Sequence, residues 1–145
     1  LQRVLRKLGA HEGDPMIRFE DLILPRSPNT YLVAPDGLCQ NATPHQRAPR
    51  FAAPAPVVKA AFDQVLAREP RISHSASDEG LGQYEWIQRS ALMRFPDTIT
   101  ARFIALDAGA STLAIYSRSK FGRSDFGVNR ARVSDWLAKL AAALR

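Results

Sequence analysis

Eight of the ten prolines lie between Pro15 and Pro56, and only Pro70 and Pro96 fall beyond them. Proline fixes φ near about −65° and has no N–H to give to a ladder, so a stretch dense in it cannot supply long helices or central strands. The skew divides the chain. Residues 1–56 read as an extended, Pro-rich N-terminal segment packed on the rest, and residues 57–145 as an α+β core, one domain in all. Within the first part, Leu1–Leu8 has the spacing of a short helix, and Ile17–Leu24 and Thr30–Ala34 read as short strands. Gln40–Pro56 reads as an irregular surface segment.

Beyond Pro56 the periodicities sharpen. Val57, Val58, Ala61, Phe62, Val65 and Leu66 recur at helical spacing, with Lys59, Asp63 and Gln64 on the other face. Pro56 suits a first turn and Pro70 follows the end. Strand-like runs follow at Arg71–Ala76, Tyr84–Phe95, Ile99–Leu106 and Thr112–Ser119, with turn residues at Ser77–Gly82, Phe95–Thr98 and Asp107–Ser111 between them. In the last run Leu113 and Ile115 alternate with Thr112, Tyr116 and Arg118. Val133, Trp136, Leu137, Leu140 and Leu144 then form one stripe of an amphipathic helix. Short turns between successive strands imply an antiparallel β-meander of about four strands with helices packed on one face, preceded by the Pro-rich irregular segment.

Composition closes off several classes of function. The chain has 145 residues, 46% of them hydrophobic, enough for one core without disulfides or metal, and no run approaches the roughly 18 apolar residues of a spanning helix. A single cysteine, Cys39, excludes an internal disulfide and any zinc site built on several thiolates. It reads as an inert, half-exposed thiol, with His45 the nearest imidazole in sequence. The net charge of +6 comes mostly from arginines spread from Arg3 to Arg145 among acidic residues. With no clustered stripe and no recognisable module, no specific nucleic-acid partner is expected. No His-x-x-x-His or Glu-x-x-His pair is present, and no metal or cofactor is expected.

The most distinctive stretch runs from Tyr116 to Val133: it leaves a strand, passes Gly122 and Gly127, and enters the final helix. Ser124, Asp125 or Asn129 could each offer a capping oxygen there, and glycine permits positive φ. Gly122 through Arg130 resembles the signature of a family known as domain of unknown function 1499, found in bacteria and plastid-bearing eukaryotes. Gln88-Arg89-Ser90 and Arg94-Phe95-Pro96-Asp97 are similar to that family's second block, Glu69-Pro70-Arg71 to its helix exit, and Pro28 to Leu32 to the start of one branch. The chain departs from it at Cys39, followed by Gln40 and Asn41 where many members carry Asn-Cys-Val-Ser-Ser. The resemblance implies relatives with an N-terminal anchor or export signal, and so a periplasmic or membrane-anchored location with a tether upstream of Leu1. The basic start (Arg3, Arg6, Lys7) suits such a junction. The resemblance implies no established reaction.

The candidate cluster is Arg94, Asp97, Arg118, Ser119, Gly122, Ser124, Asp125, Gly127, Asn129 and Arg130. Three readings compete. In the first, Asp97 and Asp125 pair with Arg94, Arg118 or Arg130 and knit the sheet to the last helix, so that all five charges converge. In the second, Arg118, Lys120 and Arg130 join backbone N–H groups at a helix N-terminus to hold an anion, against the charge of Asp125. In the third, Ser117, Ser119 or Ser124 is a nucleophile in need of a base, with His74 the best-placed histidine. The corresponding functions are a non-catalytic binding or accessory domain of the cell envelope with a protein partner, a binding protein for a small anionic or lipid-like ligand, and a small hydrolase-like enzyme. An apolar pocket bounded by Trp86, Phe103 and Trp136 would mark ligand binding, and a Ser or Asp beside His74 in a cleft would mark catalysis.

Overall fold

The computed structural model describes residues 16–26, 29–119 and 127–145. The helix expected at Leu1–Leu8 lies outside them. The elements run β1 (Thr30–Ala34), β2 (Gln46–Arg47), α1 (Ala55–Ala67), β3 (Ile72–Asp78), β4 (Gln83–Arg89), β5 (Pro96–Asp107), β6 (Ala110–Ser119) and α2 (Val128–Ala143). They build an α+β fold on one six-stranded sheet in the order β2-β1-β6-β5-β4-β3.

The meander β3–β6 is antiparallel throughout, as the short turns require. The sheet has six strands rather than about four because the Pro-rich part adds two. β1 is a proline-free window between Pro28 and Pro35, and it pairs antiparallel with β6, Leu32 facing Tyr116. β2 then joins β1 in parallel, Val33 facing Gln46, which makes the sheet mixed. Pro44 and Pro49 bracket β2, which has only two residues. His45 extends this pairing: its N–H donates to Leu32 O at 2.9 Å while its Nδ1 accepts the Leu32 N–H at 2.8 Å. Its ring stacks on Tyr31 at 5.2 Å.

Two local expectations change. Ile17–Leu24 is a turn-bearing strap and not a strand: the Asp21 N–H donates to Arg18 O. The turn directs Phe19 and Leu22, three residues apart, onto the sheet among Leu32, Ala34, Ala114 and Tyr116. The second change concerns Phe95–Thr98. Pro96 opens β5 opposite Arg89, and the loop is Ser90–Phe95 instead. The first residue of a strand is a place where a missing N–H is tolerated.

Both helices lie on the face opposite the strap. In α1, Pro54 stands at the N-cap, Pro56 falls in the first turn, and Val58, Ala61, Phe62, Val65 and Leu66 are buried. In α2, Val133, Trp136 and Leu140 are fully buried. Phe62 lies at the centre of this layer, its ring 5.3 Å from Trp86, 5.4 Å from Phe103 and 6.0 Å from Trp136. Burying a phenylalanine contributes about 1.5–3 kcal/mol before edge-to-face gains. The core joins these rings to Tyr31, Val33, Ile99, Leu113 and Ile115 from the sheet.

Candidate functional site

The period of two in the strands decides which polar residues meet the helices. Trp86 faces the core, so Gln88, two residues on, shares its face; Ile99 does the same for Asp97, and Ile115 for Ser117. In α2 the buried stripe Val133–Trp136–Leu140, carried back one turn, passes through Arg132 and Asn129. These five polar side chains therefore meet at one end of the sandwich, beside the strand exit at Ser119.

Arg132 is the hub. Its Nε donates to Gln88 Oε1 at 2.6 Å, Nη1 to Ser117 Oγ at 3.0 Å and Asn129 Oδ1 at 2.8 Å, and Nη2 to Asp97 Oδ2 at 2.7 Å. The Arg132 and Asp97 side chains are 10% and 14% exposed. Ser117 Oγ donates to Asn129 Oδ1 at 2.6 Å. The Asn129 amide donates to Asn29 O at 2.9 Å and to Ser119 Oγ at 3.0 Å. The knot thus ties β1's approach, β4, β5 and β6 to the first turns of α2. No buried side-chain nitrogen or oxygen among the described residues lacks a hydrogen-bond partner.

Of the residues singled out in the sequence, Asp97, Ser119 and Asn129 come together here. Asn129 does not cap the helix: it lies inside the first turn, and the N-cap is Gly127 at φ +82°, a left-handed conformation that favours glycine. Arg118 is on the other face. Its Nη1 donates to Thr100 Oγ1 at 3.0 Å, its Nη2 approaches Glu85 at 3.4 Å, and its guanidinium lies over Tyr116 at 4.7 Å. Burial works against the Arg118 charge and Glu85 supports it. Arg94 sits in the exposed β4–β5 loop and Arg130 is exposed on α2. Among the described residues Asp97 is paired with Arg132 and forms no ion pair with Arg94, Arg118 or Arg130. Gly122, Ser124 and Asp125 lie outside the described residues.

Among the described residues no histidine is hydrogen-bonded to a serine of the knot. His74 Nε2 is 2.8 Å from Ser77 Oγ, but both are exposed on the edge strand β3. Cys39 is half-buried, and burial followed by the nearby Glu20 pushes its thiol up, away from thiolate. Between Trp86, Phe103 and Trp136 stands Phe62, its ring in contact with all three. A groove of about 620 Å³ opens elsewhere, between the C-terminal ends of the helices, where Glu69 accepts the Trp136 Nε1–H and meets Lys139. No group of His, Cys, Asp and Glu suited to a metal occurs among the described residues, and no helix there is long and apolar enough to cross a membrane.

A second buried arginine, Arg102, tethers the strap. It donates to both Glu20 oxygens at 2.7 and 3.0 Å and to Gln83 Oε1 at 2.9 Å. Gln83 in turn donates to Ile17 O at 2.7 Å.

A family model described as "Protein of unknown function (DUF1499)" matches residues 23–140. A comparison with curated proteins finds no match. Among solved structures the chain is similar to the di-domain ARO/CYC BexL from the BE-7585A biosynthetic pathway, at 15% identity and a TM-score of 0.47. The similarity covers 68% of this chain and 44% of that one, so the chain spans less than half of that protein's length.

Proposed function

The chain belongs to the DUF1499 family of proteins of unknown function, and we propose that it works as a non-catalytic binding or accessory domain of the cell envelope. The observation that carries this is the closed knot around Arg132. A catalytic constellation leaves a nucleophile next to a base and a space for substrate. Here Gln88, Asp97 and Asn129, which fall in the family's motifs, spend their donors and acceptors on Arg132, Ser117 and their neighbours. The filled aromatic layer speaks in the same direction, since an enclosed ligand would need the volume that Phe62 occupies. The envelope location rests on the resemblance of the sequence to relatives with an anchor or export signal.

Two measurements on protein purified from its own host test this. Native mass spectrometry should give the mass of the bare chain, and a fluorophosphonate probe should label no serine. A stoichiometric retained small molecule would replace this reading with ligand storage or transport. Labelling at Ser77 that His74→Ala abolishes would replace it with hydrolysis.

A further inference from the structure

We propose that the β4–β5 end of the sheet docks on an anionic lipid surface, with Leu92 and Met93 entering the headgroup boundary and Arg71, Arg89, Arg94 and Arg130 meeting lipid phosphates. This names the partner of the binding domain proposed above and rests on that reading.

The loop Ser90–Phe95 holds the apolar side chains out in water. Leu92 is 89% exposed and Met93 61%, and Val128 at the start of α2 is 48% exposed. The loop is held in shape. The Ser90 N–H donates to Phe95 O at 3.0 Å, the Phe95 N–H donates to Ser90 Oγ at 3.0 Å, and Arg89 Nη1 donates to Arg94 O at 3.0 Å. Arg94 itself sits at φ +57°, a conformation that a non-glycine residue holds only when its surroundings impose it.

Charge is sorted along the same axis. Arg71 donates from Nε to Arg89 O at 2.9 Å, which places it beside the loop. Arg130 is on the first turn of α2, next to Asn129, which bonds Ser119 opposite Asp97. Among the described residues none of Arg71, Arg89, Arg94 and Arg130 is in an ion pair, and the one carboxylate of the knot, Asp97, is taken by Arg132. The opposite end carries Asp78 and Glu79 at the β3–β4 turn, while Asp107 at the β5–β6 turn is balanced by Arg50. A negatively charged bilayer would draw the domain in with its β4–β5 end leading. A loop of a few exposed apolar side chains falls short of the roughly 800 Å² per partner of a stable protein interface, but it fits insertion about 5–10 Å into a headgroup layer.

The test is co-sedimentation of the full chain with vesicles of phosphatidylcholine alone or with about a third phosphatidylglycerol. The chain should pellet with the mixed vesicles only and be released by high salt. Leu92→Ser with Met93→Ser should lower the partition coefficient about tenfold, and Arg94→Gln with Arg130→Gln about 25-fold, at roughly fivefold per arginine. The melting temperature should hold in both, since all four residues are exposed. A Leu92→Trp probe should shift its emission to the blue on mixed vesicles. The proposal is overturned if the wild type does not pellet, if it pellets equally with neutral vesicles, if the variants bind like the wild type, or if the emission of the Leu92→Trp variant stays put. None of these outcomes alters the serine-label or native-mass result, so failure here is distinguishable from failure of the non-catalytic reading.

Discussion

The most buried arginine on each face of the sheet, Arg132 on one and Arg102 on the other, is held differently. Arg132, on the helix side, shares its donors among Gln88, Ser117, Asn129 and Asp97, every one of them on a regular element of the core. Arg102, on the strap side, gives two of its three bonds to Glu20, which stands on an irregular segment and is 30% exposed. The first closure is assembled by packing that would form anyway. The second depends on one carboxylate keeping its charge. Glu20 does so strongly: its hydrogen bonds to Arg102 bring its pKa down from 4.5 to about 2, against burial.

Substitution at the two sites should expose this contrast. The largest effect is expected for Arg132→Ala, which leaves Asp97 buried without its counter-charge and should cost about 3–5 kcal/mol, read from the midpoint of urea unfolding. A loss below about 1 kcal/mol would mean that water repairs the knot and that the two closures are equivalent. Glu20→Gln should cost less, about 1–2 kcal/mol at neutral pH, because its partly exposed carboxylate is screened. Its signature is in acid. A group with a folded pKa of about 2 and an ordinary value of 4.5 contributes fully above pH 4.5 and loses its contribution as pH falls towards 2. Thermal melts of the wild type should therefore decline across that window and those of Glu20→Gln should decline less. Equal slopes would detach the strap from the acid response. The smallest effect is expected for Asp107→Asn. Its bridge to Arg50 is 3.1 Å long, but the side chains are 61% and 62% exposed, so the change should stay under about 1 kcal/mol and within error of the wild type.

The sequence made the helix-side closure half legible. Proline placement and the stripe Val133–Trp136–Leu140 give α1, α2 and the antiparallel meander, and alternation in β6 puts Arg118 on the opposite face from Ile115. Carried one turn further back, the same stripe would have picked out Arg132 over Arg130. That step was hidden because a buried arginine is rare without partners, and its partners come from three strands. The strap was less legible still. Glu20 and Arg102 are 82 residues apart, and no local pattern links them. Thr30–Ala34 was legible as a strand, but β2 was obscured by the prolines around it. Their pairing is set by β6 and by the His45 side chain standing in for a ladder group, which are tertiary facts.

The two outer strands of the sheet carry a consequence of their own. An open sheet offers unpaired N–H and C=O groups along each margin, and a flat margin invites another chain to add itself. At one margin stands β2, two residues long and closed off by Pro44 and Pro49. At the other, β3 slips register between His74 and Ala76 and reads Ile-Ser-His-Ser-Ala-Ser-Asp, almost without apolar weight. One margin is too short to template a neighbour, and the other is kinked and polar. Both margins thereby resist the strand-to-strand aggregation that an open sheet would otherwise promote at high concentration.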